Sequence, residues 1–143
     1  MPNWFSNDIE ITGPEADLNR FMAEFGEATW DFHKIIPQPP EVLQELAAQP
    51  SLDDLRAGKE MPAQPPEGPL WYRWRNKNWG TKWNASDGYF RERSPEKIQL
   101  GFETANGVPD PVYRAIAARY PTLSIKVEYC DFPNFAGEFH YRD

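Results

Sequence analysis

The sequence predicts an α+β fold in which helices pack on one face of an antiparallel sheet. Short segments with alternating apolar and polar residues predict the strands, and amphipathic segments between them predict the helices. Six Trp, six Tyr and nine Phe residues supply much of the apolar area for a core, since each ring buries about 150–250 Å². A chain of 143 residues fits one domain, so we expect residues 1–143 to share a single core.

A strand and a helix open the first half of the chain. Two sets of residues, one mostly apolar and one polar, alternate over residues 5–12, which predicts a strand with one buried face. Its inward positions are Phe5, Asn7, Ile9 and Ile11. After Gly13, apolar residues recur at the spacing of an amphipathic helix, which ends near Gly26. The apolar positions of this helix are Leu18, Phe21, Met22 and Phe25.

The second half repeats this pattern of strand, helix and strand. A half-buried strand around Leu100 leads into a helix over residues 111–120, with Asp110 as the predicted N-cap. Alternation over residues 123–129 predicts a further strand, and Phe135–Tyr141 predicts a last strand that pairs back as a hairpin. Strand-helix-strand-strand-helix-strand, plus one strand, is the order of a ferredoxin-like fold. The expected core residues are Leu18, Phe21, Phe25, Ile98, Leu100, Phe102, Ile116, Ile125 and Val127.

Residues 35–70 interrupt this order as a proline-rich insertion. More than half of the prolines lie within it, and proline lacks the backbone donor that a sheet requires. We therefore expect an excursion over the surface with two short helical stretches, residues 41–48 and 52–57. A further helix is predicted over residues 70–79, closed by Gly80 in a left-handed conformation.

Composition argues against several classes of function. The formal net charge of −7 opposes binding along a phosphate backbone, so we expect no general binding to duplex DNA. A single cysteine, Cys130, excludes an internal disulfide and a four-cysteine iron–sulfur cluster, and indicates a reducing compartment such as the cytoplasm. No apolar run spans a bilayer and no signal-peptide pattern begins the chain, so we expect no association with a membrane.

Patterns of catalytic and metal-binding residues are weak. His33 and His140 lie far apart and show no metal-ligand spacing, so we expect no metal and no other cofactor. Cys130 ends an apolar strand, where a small buried side chain is the favoured interpretation. Acidic clusters are interpreted as solvated surface, and the sequence has no glycine-rich phosphate loop. We therefore favour a role without turnover and leave an enzymatic one open.

Residues 71–84 form the strongest candidate for a functional segment in this acidic chain. Indole rings beside cations suit stacking on a base together with neutralisation of a phosphate. The structural alternative is that Trp71 and Trp74 dock a helix onto the sheet while Arg73 and Lys77 are solvated. The segment contains Trp71, Trp74, Trp79 and Trp83 together with Arg73, Arg75, Lys77 and Lys82.

Binding is predicted most specifically for the end of that helix and the residues after it. A helix stop at Gly80, followed by the expected start of a strand, places hydroxyl, ammonium, indole and amide groups close together. A purely structural turn does not require this mixture of groups. The predicted ligand- or partner-binding residues are Arg75, Asn78, Trp79, Thr81, Lys82, Trp83 and Asn84.

Three blocks of the sequence match a known pattern. The chain opens with Met1-Pro2-Asn3-Trp4 followed by Asn7 and Ile9-x-Ile11-x-Gly13, continues with Asn78-Trp79-Gly80-Thr81-Lys82-Trp83-Asn84-Ala85, and closes with Phe135-Ala136-Gly137-Glu138. In these blocks, over nearly the whole chain, it resembles the YubB-type ferredoxin-like family of phage and plasmid proteins. The resemblance implies a ferredoxin-like fold and an origin on a mobile element. That family is a domain of unknown function without assigned catalytic residues, and Phe5 stands where its pattern has cysteine.

These features together predict an accessory binding protein of phage or plasmid type. The expected role is an anti-defence inhibitor that occupies a host protein or sequesters a nucleotide-like ligand in the cytoplasm of a bacterial host. An acidic surface suits the first mode and the Trp/Lys/Arg segment suits the second. The alternative is a small enzyme acting on a nucleotide or nucleic acid, with Thr81, Lys82 and Asn84 in its pocket. Homo-oligomer formation through Phe135–Tyr141 is left open.

Overall fold

A five-stranded antiparallel sheet forms the centre of the structure, a computed structural model that describes residues 3–25, 30–60, 65–131 and 135–141. Its strand order is β2-β3-β1-β4-β5, with β1 in the middle. This arrangement confirms the predicted α+β class. In chain order the strands are β1 (Trp4–Thr12), β2 (Ser86–Arg93), β3 (Lys97–Ala105), β4 (Ser124–Asp131) and β5 (Phe135–Tyr141).

Helices pack on one face of this sheet, and all but the last of them lie in the long connection between β1 and β2. The first helix along the chain follows β1 and the last helix follows β3, as in the ferredoxin-like order. Within the described ranges, no helix has the length and apolar character needed to cross a membrane. The helices are α1 (Glu15–Phe25), α2 (Phe32–Ile35), α3 (Pro40–Ala47), α4 (Leu52–Arg56), α5 (Leu70–Asn78) and α6 (Asp110–Arg119).

Alternation along β1 gives the sheet one buried face and one open face. Ile9 pairs with Leu100 of β3 and with Val127 of β4, and all three side chains are buried against the helices. Asp8 and Glu10 alternate with these residues and lie on the opposite side, which we call the open face. Every residue predicted for the core is at most 3% exposed, which confirms the predicted core.

A buried polar cluster lies beneath α6. Asn7 is only 1% exposed, and its Oδ1 accepts a hydrogen bond of 2.8 Å from the Tyr113 hydroxyl. Its Nδ2 donates to the Thr104 hydroxyl at 2.9 Å. Burial raises the pKa of Tyr113 well above its ordinary value, so this hydroxyl stays protonated and acts as a donor. The inward position predicted for Asn7 is confirmed, and these hydrogen bonds offset the desolvation of its amide.

The insertion forms α3 and α4 and leads into α5, and these three helices lie within one residue of the predicted stretches. The Glu45 carboxylate of α3 accepts hydrogen bonds from the backbone N–H groups of Leu70 at 3.0 Å and Trp71 at 2.7 Å. These N–H groups begin α5 and have no partner within the helix, so α3 caps α5. The two helices also pack together.

The helix α5 docks onto the core through only one of the two tryptophans that the structural alternative proposed. Trp74 packs against the core, as that alternative expects. Trp71 does not belong to the core cluster, and it packs beside Tyr72 and under the guanidinium of Arg75. The helix therefore contacts the core through one tryptophan and α3 through its first turn.

The N-termini of two helices also differ from expectation. Asp110 is the first helical residue rather than the N-cap, and its carboxylate accepts hydrogen bonds from Arg114 and Tyr141. The short helix α2 was not predicted, because its four residues are too few to show a helical period. Asp31 caps it by accepting a hydrogen bond of 3.0 Å from the backbone N–H of His33.

Truncation of Leu100 tests this core. Leu100 is 2% exposed between β1 and β2, so Leu100→Ala leaves a cavity and should lower the free energy of unfolding by about 2–5 kcal/mol. Its neighbour Gln99 lies on the open face, and Gln99→Ala should change stability by no more than about 0.5 kcal/mol. Urea unfolding followed by circular dichroism measures both, and equal effects of the two variants would contradict the assignment of faces.

Candidate functional site

The link between α5 and β2, residues 79–85, packs against the beginning of α6. Gly80 has a φ of +84°, a left-handed conformation that favours glycine, and this confirms the predicted helix stop. A Cβ at Gly80 would lie 2.9 Å from the Cδ of Pro111 and 3.1 Å from the carbonyl oxygen of Val108. The close approach of the two segments therefore also requires glycine at this position.

The link turns once more before β2 begins. Thr81 is 1% exposed, and its hydroxyl donates a hydrogen bond of 2.6 Å to the carbonyl oxygen of Trp83. This local bond uses a carbonyl that a strand would offer to its neighbour, and it bends the chain. The strand expected to open at Thr81 instead begins at Ser86.

Asn84 joins the link to the start of α2. Its Oδ1 accepts hydrogen bonds from the backbone N–H of Phe32 at 2.9 Å and of Ala85 at 2.8 Å. Its Nδ2 donates to the Asp31 carboxylate at 2.7 Å, the same side chain that caps α2. The amide of Asn84 is therefore occupied by the protein itself.

Trp79 is part of the core. Its side chain is fully buried, and its indole N–H donates a hydrogen bond of 3.0 Å to the carbonyl oxygen of Ile36. Phe32 and Trp74 pack edge-on against it, with ring centroids 5.7 and 5.6 Å away. Trp79 thus ties the insertion to the core and presents no surface to a ligand in this conformation.

Arg75 and Asn78 are held on α5. The Arg75 Nε donates to the Oε1 of Gln38 at 2.8 Å, and its guanidinium lies 5.2 Å from the ring centroid of Trp71 and 5.1 Å from that of Trp79. Partial burial lowers the pKa of Arg75. The Asn78 Nδ2 donates at 2.9 Å to a backbone carbonyl one turn earlier in α5. Both side chains have structural partners.

Lys82 and Trp83 remain at the surface, where Trp4 joins them. The Lys82 ammonium lies 4.5 Å from the ring centroid of Trp83, and no carboxylate among the described residues forms an ion pair with it. The Trp4 ring is 38% exposed and lies 5.7 Å from that of Trp83, tilted by 37°. We call Trp4, Lys82 and Trp83 the aromatic corner.

The aromatic corner combines π surface with a cation that has no ionic partner. An indole stacks on a base or binds a cation, and an ammonium binds a phosphate or carboxylate. Sequence reasoning missed Trp4 because it is remote from Trp83 along the chain. Its place on the open face follows from the alternation of β1, but its contact with Trp83 depends on how the link folds.

The aromatic corner borders the open face of the sheet, which is charged. Asp8 forms an ion pair with Arg91 at 3.0 Å, and Lys126 lies 3.4 Å from Glu128 and 3.2 Å from Glu138. A depression of about 130 Å³ lies over β1 at this point, lined in part by Asp8, Arg91 and Lys126. The open face thus offers carboxylates and cations side by side.

The remaining candidates for chemistry are the histidines, the cysteine and the acidic residues. Within the described ranges, no group of three or more His, Cys, Asp or Glu side chains is placed to hold a metal ion. His33 is engaged locally, since its Nδ1 accepts a hydrogen bond of 3.0 Å from the backbone N–H of Gln38. Cys130 is half-buried on β4. The expectation that no metal or cofactor is bound stays a prediction.

Comparison with known proteins supports the fold. No family model matches the chain, and no curated protein matches it. The chain is similar to the crystal structure of the protein api92 from Yersinia pseudotuberculosis, assigned to the DUF1281 family of unknown function. The TM-score is 0.63, the identity is 9%, and the match covers 99% of this chain and 94% of that one. Such low identity shows a shared fold alone.

The stability of two variants separates the structural part of the link from its surface. Asn84→Ala removes hydrogen bonds to Phe32 and Asp31, so it should lower the free energy of unfolding by about 1–3 kcal/mol. Lys82→Ala removes a surface ammonium and should change it by no more than about 0.5 kcal/mol. Chemical unfolding measures both, and an unaffected Asn84→Ala would contradict the structural role of the Asn84 hydrogen bonds.

Proposed function

We propose that this chain is an accessory binding protein of phage or plasmid type that counters a host defence in the bacterial cytoplasm by sequestering a nucleotide-like ligand at the aromatic corner. The observation that carries this proposal is the Lys82 ammonium, without an ionic partner among the described residues, beside the exposed ring of Trp4 and that of Trp83. The resemblance to a family of phage and plasmid proteins supports the setting.

The chemistry of the aromatic corner fits a nucleotide. A base stacked on Trp4 or Trp83 would gain about 1–3 kcal/mol, a range known from alanine substitution at stacking sites. Lys82 would supply a point charge to the phosphate. Lys82 is the only group of the corner that carries charge, so the phosphate contact would weaken with added salt.

A second mode, occupation of a host protein, is favoured by the charge of the molecule. The net charge is −7, and carboxylates of β1, β4 and β5 project from the open face beside the aromatic corner. A negatively charged surface can compete for a protein site that normally receives nucleic acid. In this mode the aromatic corner would be one end of a larger protein–protein contact.

The arrangement favours binding over turnover. The enzymatic alternative placed Thr81, Lys82 and Asn84 together in a pocket. The polar groups of Thr81 and Asn84 instead form hydrogen bonds with backbone and side-chain groups of the protein. Lys82 is then left without a neighbouring base or acid among the described residues. General acid–base chemistry requires such a second group.

A thermal-shift screen with nucleoside phosphates and cyclic dinucleotides tests the nucleotide mode. We expect at least one of them to raise the Tm of the wild-type protein, and Trp4→Ala and Lys82→Ala each to weaken its Kd by roughly tenfold, as loss of about 1–2 kcal/mol implies. Isothermal titration calorimetry then measures Kd, and chromatography of the incubated ligand detects turnover.

Matched control variants on α5 keep this test specific. Tyr72 is exposed to 39%, close to the 38% of Trp4, and Lys77 is an exposed lysine, so Tyr72→Ala and Lys77→Ala should leave Kd unchanged. If no ligand raises the Tm of the wild type, the nucleotide mode is wrong and occupation of a host protein remains. If Trp4→Ala and Lys82→Ala also leave activity intact in a phage or plasmid fitness assay, the aromatic corner has no role in function.

A further inference from the structure

The two edges of the sheet are built differently. On the outer strand β2, pairing with β3 shifts register twice, and the charged residues Arg91, Glu92 and Arg93 line its second half. Register shifts and charges are the features by which proteins protect an edge from another strand. β2 is therefore a protected edge.

β5 forms the other edge and lacks register shifts. It pairs with β4 over all seven of its residues without a register shift, and no strand lies on its outer side within the described part of the chain. Ala136, Glu138, Phe139 and His140 along it are exposed. A regular exposed edge with aromatic side chains presents backbone groups to which another strand can pair.

We propose that β5 pairs antiparallel with β5 of a second copy of this chain, about a two-fold axis at Phe139. The sheets of the two copies then join into one. A two-fold axis makes each contact occur twice, so a strand that is self-complementary in the antiparallel direction can pair with the same strand of a second copy. This proposal concerns a surface away from the aromatic corner and does not depend on the ligand.

The pairing of a carboxylate with an imidazole sets this register. With the axis at Phe139, Glu138 of one copy faces His140 of the other on the open face, and the same pair recurs on the other side of the axis. Within one chain the His140 Nε2 already lies 3.5 Å from the Glu138 carboxylate, which shows that the two groups are compatible neighbours. Moving the axis by one residue to Glu138 would instead place two carboxylates opposite each other, which destabilises a strand pair.

The helix side of β5 also suits a second copy. Phe139 is 39% exposed, stacks on Tyr129 with ring centroids 5.2 Å apart, and borders a groove lined on the α6 side by Ala117 and Ala118. On the axis, the two Phe139 rings would meet and cover each other. A Cβ at Gly137 would collide with the Tyr129 ring of the same chain, so glycine at this position lets Tyr129 lie flat over β5 and support Phe139.

Light scattering after size exclusion tests the assembly directly. The chain has a mass of 16.6 kDa, and we expect the wild-type protein to elute at twice that mass. A cationic variant, Glu138→Lys with His140→Lys, and an acidic variant, His140→Glu, each place like charges opposite one another, so each should elute as a monomer. Mixed in equal amounts they are complementary, and the mixture should regain the mass of a dimer.

Matched controls distinguish the edge from general effects of charge. Glu128 also contacts Lys126 but lies one strand inward on β4, so Glu128→Lys should remain dimeric. Circular dichroism of each variant checks that it folds. A wild-type protein that is monomeric over the accessible concentration range would overturn the proposal, and so would dimeric single variants or a mixture that stays monomeric.

A disulfide test examines the register without altering charge. In a Cys130→Ser background, Phe139→Cys places one thiol of each copy next to the axis, and diamide should cross-link most of the protein as a dimer. Tyr89→Cys on the protected edge β2 is the control and should remain uncross-linked. Equal cross-linking at the two positions, or none at Phe139→Cys, would contradict this register.

Discussion

The pairing of β1 with both β3 and β4 is the constraint on which the rest of the structure depends. It aligns Ile9 with Leu100 and Val127 on one face, and it leaves Asp8 and Glu10 on the other. Since successive side chains of a strand point to opposite faces, a single register decides both the core and the open face. The helices α1 and α6 then cover the apolar face, and the charged residues stay in solvent.

The insertion is attached to this sheet by aromatic packing. Trp79 fills the core from the end of α5, and Phe32 and Trp74 pack against its ring. The hydrogen bonds of Asn84 to Phe32 and Asp31 hold the following link in place. This anchoring places the half-buried Lys82 and Trp83 next to the exposed Trp4, so structural contacts of neighbouring residues create a candidate binding surface.

Three surfaces of the molecule therefore have different characters. The aromatic corner offers stacking and one positive charge, the open face offers mixed charges with an excess of carboxylates, and the β5 edge offers backbone groups and an exposed Phe139. A small protein that acts by binding can use such surfaces for separate contacts, because binding contacts do not need the precise geometry that catalysis demands. The corner lies on β1 and the link before β2, and β4 separates β1 from the β5 edge, so ligand binding and assembly would use different surfaces.

The sequence by itself determined the fold class, the inward residues of the strands and the helix stop at Gly80, because periodicity and turn chemistry act between near neighbours along the chain. It also located the segment that contains Lys82 and Trp83, but it could not separate them from Trp79, Thr81 and Asn84. Only the tertiary structure decided that separation, since burial and hydrogen-bond partners come from segments distant in sequence, such as Ile36, Asp31 and Trp4. For the same reason the contrast between the β2 and β5 edges required the strand order and the registers.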